Sequence, residues 1–296
     1  MSSSPESLKI RARQETQRNY FYKLCAIEQE AESLHTPTLD DEQLRSFSIQ
    51  RLDDLDVDGN VSDDSGPRYF APFPTNTLPE SVKTTADSWQ EPCHVSTKST
   101  GWYTCDPFSE ADFRLRWLDR TMHFYVIDET RWCDVEMDGR NKLPFFEGYA
   151  YRNDHDGLVR EDYLGFLGDH ARTVRDGCIP HMTCAVIDST VSGTQVPRSV
   201  VITALTLMKR QIRSKHFVDH HTIPVLIITF QHDCAATITQ VHFHGNRVFI
   251  RQSRPLNLDT NEPNAEAYML LRWMAGNPIG ETAYDSHLYN QDTLLQ

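Results

Sequence analysis

One stretch, residues 222–253, constrains the fold more than any other part of this chain. It reads TIPVLIITFQHDCAATITQVHFHGNRVFIRQS, in which one apolar run and two alternating runs are separated by a polar break and a Gly-Asn pair. Alternation with a period of two is typical of half-buried strands, and a Gly-Asn pair favours a two-residue hairpin turn. The stretch therefore predicts a three-strand antiparallel meander. Helical patterns at 198–215 and 263–275 flank it, so we expect an α+β fold with an antiparallel sheet.

Composition divides the chain into four segments. The predicted segments are a helical segment at 1–56, a flexible acidic and Pro-rich linker at 57–98, an α+β domain at 99–282, and a flexible tail at 283–296. Inside the linker, exposure of the aromatic residues of RYFAPFPTNTLP to water would be unfavourable, which indicates an extended strap lying against the folded body.

Local patterns predict further elements of the first and third segments. In the helical segment, apolar residues at helical spacing predict a second helix over 40–55. In the α+β domain, residues 122–128 and 182–188 are rich in apolar and β-branched residues and predict strands. Residues 161–174 are predicted to form a helix.

Charge and cysteine usage bound the class of protein. The chain of 296 residues carries 42 acidic and 29 basic residues, a net charge of −13, which argues against a protein that coats nucleic acid with its whole surface. The first residues lack the apolar core of a secretory signal, and every apolar run is far shorter than the roughly 20 residues of a membrane span. Seven cysteines without a CxxC pair indicate free thiols. We expect a cytoplasmic or nuclear protein without membrane attachment.

The hairpin turn assigns side chains to the two faces of the predicted sheet. With Gly245-Asn246 as the turn, His244 lies opposite Arg247, and every second pair beyond it shares the same face. That face carries Gln240, His242, His244, Arg247, Phe249 and Arg251. It is basic and aromatic, in contrast with the acidic balance of the whole chain.

Three interpretations of this face remain open. The first is an ordinary solvated sheet face. The second is a surface for an anionic ligand or nucleic acid, formed by Gln240, Arg247, Phe249 and Arg251, because Arg forks suit phosphate and Phe249 could stack on a base. The third is a divalent metal site in which His242 and His244 share one strand face and either His232 or the His220-His221 pair supplies a third ligand.

The order of elements resembles a known fold family over about the last hundred residues. A helix, three strands and a second helix in succession resemble the core of PD-(D/E)XK nuclease-like proteins. That family needs an acid near the second strand, where Asp233 stands, and an acid-x-Lys on the third. The third strand reads RVFIRQS, with neither, so the resemblance implies a degenerate, binding-only relative.

A longer block is similar to the C-terminal part of uncharacterised proteins of filamentous fungi. It reads PVLIITF…ITQVHFHGNRVFIRQS…LLRWMAGNPIGET. This likeness suggests a fungal source and implies no activity.

The sequence as a whole predicts a non-catalytic binding or interaction protein. No G-x-S-x-G, P-loop, dinucleotide fingerprint or H-E-x-x-H motif is present. The ligand would be an anion, nucleic acid or a protein partner, and the N-terminal helices offer a second surface for such a partner. In that case the body would fold without residues 1–56. The alternative is a metal-dependent hydrolase or nuclease-like enzyme that uses His242 and His244.

Overall fold

A computed structural model describes residues 4–58, 66–74, 82, 89, 107–135, 151–154, 157–160 and 165–284. The helices are α1 (Pro5–Ser33), α2 (Asp41–Ser46), α3 (Pro107–Tyr125), α4 (Arg198–Ser214) and α5 (Ala265–Met274). The main sheet contains β2 (Ile49–Arg51), β4 (Trp132–Asp134), β7 (Phe166–Val174), β8 (Met182–Asp188), β10 (Ile223–Gln231), β11 (Ala235–His244), β12 (Arg247–Gln252) and β13 (Leu256–Asn257). Three short pairs are β1 (Thr38–Leu39) with β9 (Val196–Pro197), β3 (Phe70–Ala71) with β14 (Asn277–Pro278), and β5 (Tyr151–Asp154) with β6 (Gly157–Arg160).

The main sheet is mixed. Its order among the described residues is β2-β12-β11-β10-β8-β7-β4, with β13 paired to β11. Strands β10, β11 and β12 are antiparallel neighbours, whereas β8 is parallel to β10 and β2 is parallel to β12. The expectation of a purely antiparallel sheet is therefore wrong. Helix α4 crosses over between β8 and β10 and returns the chain in the same direction, and such a crossover produces parallel neighbours.

Helices cover both faces of this α+β sheet. On one face α1 packs against α4, and their buried residues, including Leu24 and Leu205, join the inward side chains of β8, β10 and β11. On the other face α3 and α5 contribute residues such as Leu115 and Leu270 to a second apolar cluster. Because apolar layers lie on both sides, the central strands are buried on both faces.

The N-terminal segment is part of the body. The predicted second helix ends at Ser46, because Ser48 adopts a left-handed φ of 61° and the chain then enters β2. Ile49 pairs with Val248 and is only 1% exposed. The predicted boundary at residue 56 therefore divides a single sheet, and pairing with a distant strand overrode the local helical pattern.

Two further local predictions are wrong, and one is confirmed. Residues 122–125 continue α3 instead of forming a strand, because Leu118 and Met122 extend the helical spacing of its buried face. Residues 166–174 form strand β7 instead of a helix, since β7 pairs with both β4 and β8. Residues 182–188 form β8, as predicted.

An extended segment, residues 66–74, lies against the sheet and α5; we call it the strap. Tyr69, Phe70 and Phe73 are all at most 7% exposed, which confirms the predicted strap for these residues. Its strand β3 pairs with β14, and a Cβ atom at Gly276 would lie 2.6 Å from the carbonyl oxygen of Ala71, so this close approach needs glycine. This part of the predicted flexible linker is packed, while the linker residues 59–65, 75–81, 83–88 and 90–98 lie outside the described ranges.

The chain beyond β14 also contacts the body as far as it is described. Ala283 forms a bridge with His220, and the backbone N–H of Tyr284 donates to the carbonyl oxygen of Asp219 at 2.8 Å. The first two residues of the predicted flexible tail are therefore held, and residues 285–296 lie outside the described part. None of the helices in the described ranges has the length and apolar character needed to cross a bilayer.

Candidate anion-binding groove

The hairpin that carries the predicted site has the expected register. Gly245 and Asn246 adopt φ values of 54° and 70°, as a type I′ turn requires. His244 pairs with Arg247, and Gln240 pairs with Arg251. The six predicted side chains thus share one face of the hairpin, but only the half of that face next to the turn is open to solvent.

The strap covers the inner half of this face. The side-chain amide of Gln240, fully buried, accepts a hydrogen bond from the backbone N–H of Tyr69 at 2.8 Å and donates one to the carbonyl oxygen of Pro67 at 3.0 Å. Both ends of the amide are therefore satisfied by the chain itself. Gln240 holds the strap in place, which contradicts its prediction as a group on an open ligand surface.

The same segment covers His242, which stacks on Phe249. The His242 ring lies between Tyr69, at 4.8 Å between ring centroids, and Phe249, at 5.0 Å with an interplanar angle of 14°. Burial, aided by the nearby charges of His244 and Arg251, lowers the pKa of His242 to about 3. The imidazole is neutral and stacked, and it covers the side of Phe249 that faces it.

The three predicted metal ligands are not brought together. His244 is exposed, with Nδ1 3.1 Å from the hydroxyl of Thr222, and His242 is buried beside it on β11. His232 lies in the turn between β10 and β11, at the opposite end of these strands. His232 as third ligand is therefore wrong, because about six strand residues, roughly 20 Å, separate the two ends. Within the described ranges, no cluster of three His, Cys, Asp or Glu residues could hold an ion.

Arg251 is a buried cation held by backbone oxygens. It is 1% exposed, and its guanidinium donates to the carbonyl oxygens of Asp53 at 3.2 Å and Asp54 at 3.3 Å. Gly66 of the strap lies directly over it, since a Cβ atom there would be 3.5 Å from Nη1. These carbonyl oxygens fix the position of the guanidinium.

Arg251 and Arg247 both line a groove that the sequence did not predict. The groove has a volume of about 860 Å³ and lies between α2, β2, the start of the strap and β12. Its charged lining residues within the described ranges are Asp41, Arg45, Arg51, Asp53, Arg247 and Arg251. Among these described residues four cations face two acids, in a chain whose net charge is −13.

The four arginines differ in how far their own chain engages them. Arg51 donates to the carbonyl oxygen of Thr194 and lies 3.4 Å from a carboxylate oxygen of Asp54, which is 79% exposed and so contributes little. Arg45 and Arg247 are exposed, and no ion pair engages either of them within the described ranges. These two side chains can therefore turn to an external anion, while the guanidinium of Arg251 is held in place at the groove wall.

The sequence predicted two of the four arginines that line this groove. Arg247 and Arg251 belong to the predicted face of the hairpin, whereas Arg45 and Arg51 fall within the helix that was predicted over 40–55. The signal that could have found them is the Ile49-Gln50-Arg51 alternation directly after a helix with a capping box at Asp40 and Gln43.

Fold and site together define an α+β protein with a mixed sheet covered by helices and an arginine-lined groove at one edge strand. No family model matches the chain, and neither a curated protein nor a solved structure matches it.

Proposed function

We propose that this is a non-catalytic binding protein whose groove takes a phosphate-bearing anionic ligand. The observation that carries the proposal is the convergence of Arg45 from α2, Arg51 from β2, and Arg247 and Arg251 from β12 on one cavity. Like charges in one groove repel one another and lower the stability of the folded protein, and a bound anion relieves this repulsion.

The chemistry of the lining favours phosphate over other anions. The planar guanidinium presents paired N–H donors that match two phosphate oxygens, and several guanidiniums can surround one phosphate chain. A volume of about 860 Å³ is in the range of small-molecule sites. Nucleic acid would present phosphates to these guanidiniums, and an acidic protein segment would present carboxylates. The size of the ligand is therefore a separate question from its charge.

The proposal is tested by isothermal titration calorimetry with inorganic tripolyphosphate. Replacing Arg45 or Arg247 by alanine removes an exposed guanidinium without opening the core, and we expect affinity to fall about tenfold for each. Arg18→Ala is the matched control, because Arg18 is an exposed arginine on α1, away from the groove. Arg247→Lys separates charge from fork geometry: it should recover part of the loss, not all of it.

Two results would overturn the proposal. One is the absence of heat with tripolyphosphate at low ionic strength, where charge attraction is least screened. The other is equal affinity of the Arg45→Ala, Arg247→Ala double variant and the wild type.

A further inference from the structure

A second cavity lies at the carboxyl ends of two parallel strands. Strands β8 and β10 are adjacent and parallel, and both end at this edge of the sheet, with Asp188 paired to Gln231. The loop that follows β8 leads into α4 and encloses a cavity of about 360 Å³. The carboxyl ends of neighbouring parallel strands are where α/β sheets commonly bind ligands.

The lining of this cavity is polar and uncharged. Hydrogen-bonding side chains come from Thr38, Thr190, Thr194, Gln195 and Gln231. Pro37 and Val191 add apolar surface, and no charged side chain is among the lining residues of the described chain. An ionic ligand would find no counter-charge here, whereas a neutral polar ligand would find both donors and acceptors.

Gln231 has hydrogen-bonding capacity that the protein leaves unused. Its side chain is 2% exposed, and Nε2 donates to the hydroxyl of Thr190 at 3.3 Å. Its Oε1 atom is buried and has no hydrogen-bond partner within the described residues. An unsatisfied buried acceptor costs about 1–3 kcal/mol. Oε1 is closed to solvent in this rotamer, so a ligand hydroxyl would satisfy it only after the amide turns towards the cavity.

The residues around Gln231 are fixed by contacts outside the cavity. The Asp188 carboxylate accepts hydrogen bonds from the backbone N–H of Thr190 at 2.8 Å and from the hydroxyl of Ser199. The carbonyl oxygen of Thr190 accepts from the backbone N–H of His232 at 3.1 Å. Thr190 is thereby held in place at the cavity before any ligand arrives, which lowers the entropic cost of binding at this residue.

We propose that this cavity binds a neutral polyhydroxylated molecule of about monosaccharide size, with the Gln231 amide turning towards the cavity so that Oε1 accepts a ligand hydroxyl. A hydroxyl both donates and accepts, so it matches a lining of amides and threonine hydroxyls. The C–H surface of a sugar ring would lie on Pro37 and Val191. The described lining residues of this cavity differ from those of the arginine groove, and the two sites are linked where Arg51 donates to the carbonyl oxygen of Thr194. The two proposals rest on different side chains.

Gly193 allows the cavity to be blocked without disturbing the fold. A Cβ atom built there meets nothing within 4 Å, and Gly193 lines the cavity. Gly193→Phe should therefore occupy the cavity, while Gly193→Ala, the matched control, leaves it open. Gln231→Leu keeps the approximate volume and removes the acceptor.

The readout is saturation-transfer NMR with D-glucose, D-ribose and myo-inositol as probes, and with gluconate as the charged counterpart of glucose. We expect transfer to at least one neutral probe and not to gluconate, with the neutral signal reduced about tenfold in Gly193→Phe and Gln231→Leu and retained in Gly193→Ala. Thermal unfolding verifies that the variants are folded. The proposal is overturned if no neutral probe receives a signal from the wild type, or if Gly193→Phe leaves the signal unchanged.

Discussion

The backbone N–H of Tyr69 donates to Oε1 of Gln240 at 2.8 Å, joining residues 171 positions apart. The same amide donates through Nε2 to the carbonyl oxygen of Pro67. This single side chain on β11 therefore makes hydrogen bonds to the strap backbone that a neighbouring strand would otherwise make. The strap in turn covers His242 and Arg251. Whether the inner half of the hairpin's polar face is buried or exposed therefore depends on the attachment of the strap.

Replacing Gln240 by leucine should release the strap. The change leaves the N–H of Tyr69 buried without its partner and removes the hydrogen bond to Pro67, and we expect the free energy of unfolding to fall by about 1–3 kcal/mol. Urea denaturation measures the loss, and faster hydrogen exchange at the Tyr69 amide localises it. Gln50→Leu, at an exposed position on β2 of the same sheet, should change stability by less than about 0.5 kcal/mol. Equal losses in the two variants would contradict the role of Gln240.

Two buried histidines should make the protein sensitive to acid. Burial is the main cause that lowers the pKa of His181 to about 4 and of His242 to about 3. In the unfolded chain each titrates near 6.5, so the unfolded state binds more protons once the pH falls below that value. Their contribution is fully present above pH 6.5 and decreases by about 1.4 kcal/mol per pH unit for each histidine as the pH falls towards the folded pKa.

His242→Phe isolates one of the two contributions. Between pH 7 and pH 5 we expect this variant to lose about 2 kcal/mol less than the wild type, because phenylalanine binds no proton in either state. Urea denaturation at the two pH values measures the difference. His216→Phe, at an exposed position, is the control and should lose as much as the wild type. Identical losses for His242→Phe and the wild type would show that His242 is not buried as a neutral imidazole.

The contact between α1 and α4 should be a large source of stability. Leu24 is fully buried in the cluster that joins the two helices, so Leu24→Ala should cost about 2–5 kcal/mol by losing transfer energy and leaving a cavity. Leu8 lies on the same helix and is 55% exposed, which makes Leu8→Ala the matched control with an effect below about 0.5 kcal/mol. Chemical denaturation compares them. Similar losses for both would contradict docking of α1.

Deleting residues 1–56 should prevent the remaining chain from folding. The deletion removes the strand that pairs with β12 and uncovers apolar residues of α4. We expect the truncated chain to be insoluble or to lack a cooperative thermal transition, which circular dichroism would show. A soluble, cooperatively folded truncation would instead support the sequence-based expectation that the N-terminal segment is separate.

The elements that were predicted correctly are those that depend on residues close to one another in the chain. Gly245 and Asn246 define a turn with only one strand register, so the pairs from His244-Arg247 to Gln240-Arg251 follow. Pro197 and the helical spacing beyond it likewise predicted α4, which begins at Arg198.

Contacts between distant residues account for what the sequence did not predict. An alternating strand reads as half-exposed, yet whether Gln240 meets water or the strap depends on Tyr69, far away in the chain. Arg45 and Arg51 meet Arg247 only because β2 joins the sheet beside β12. Local propensity carries no information about such pairings.

The pairing of Ile49 with Val248 also bears on how the protein is made. On a ribosome that adds about 5–20 residues per second, β2 emerges at least about 10 seconds before its partner β12, roughly 200 residues later. For most of that interval α4 has not been synthesised either, so the apolar side of α1 lacks its packing partner. A nascent chain of this protein is thus expected to depend on chaperone binding until its last third has been synthesised.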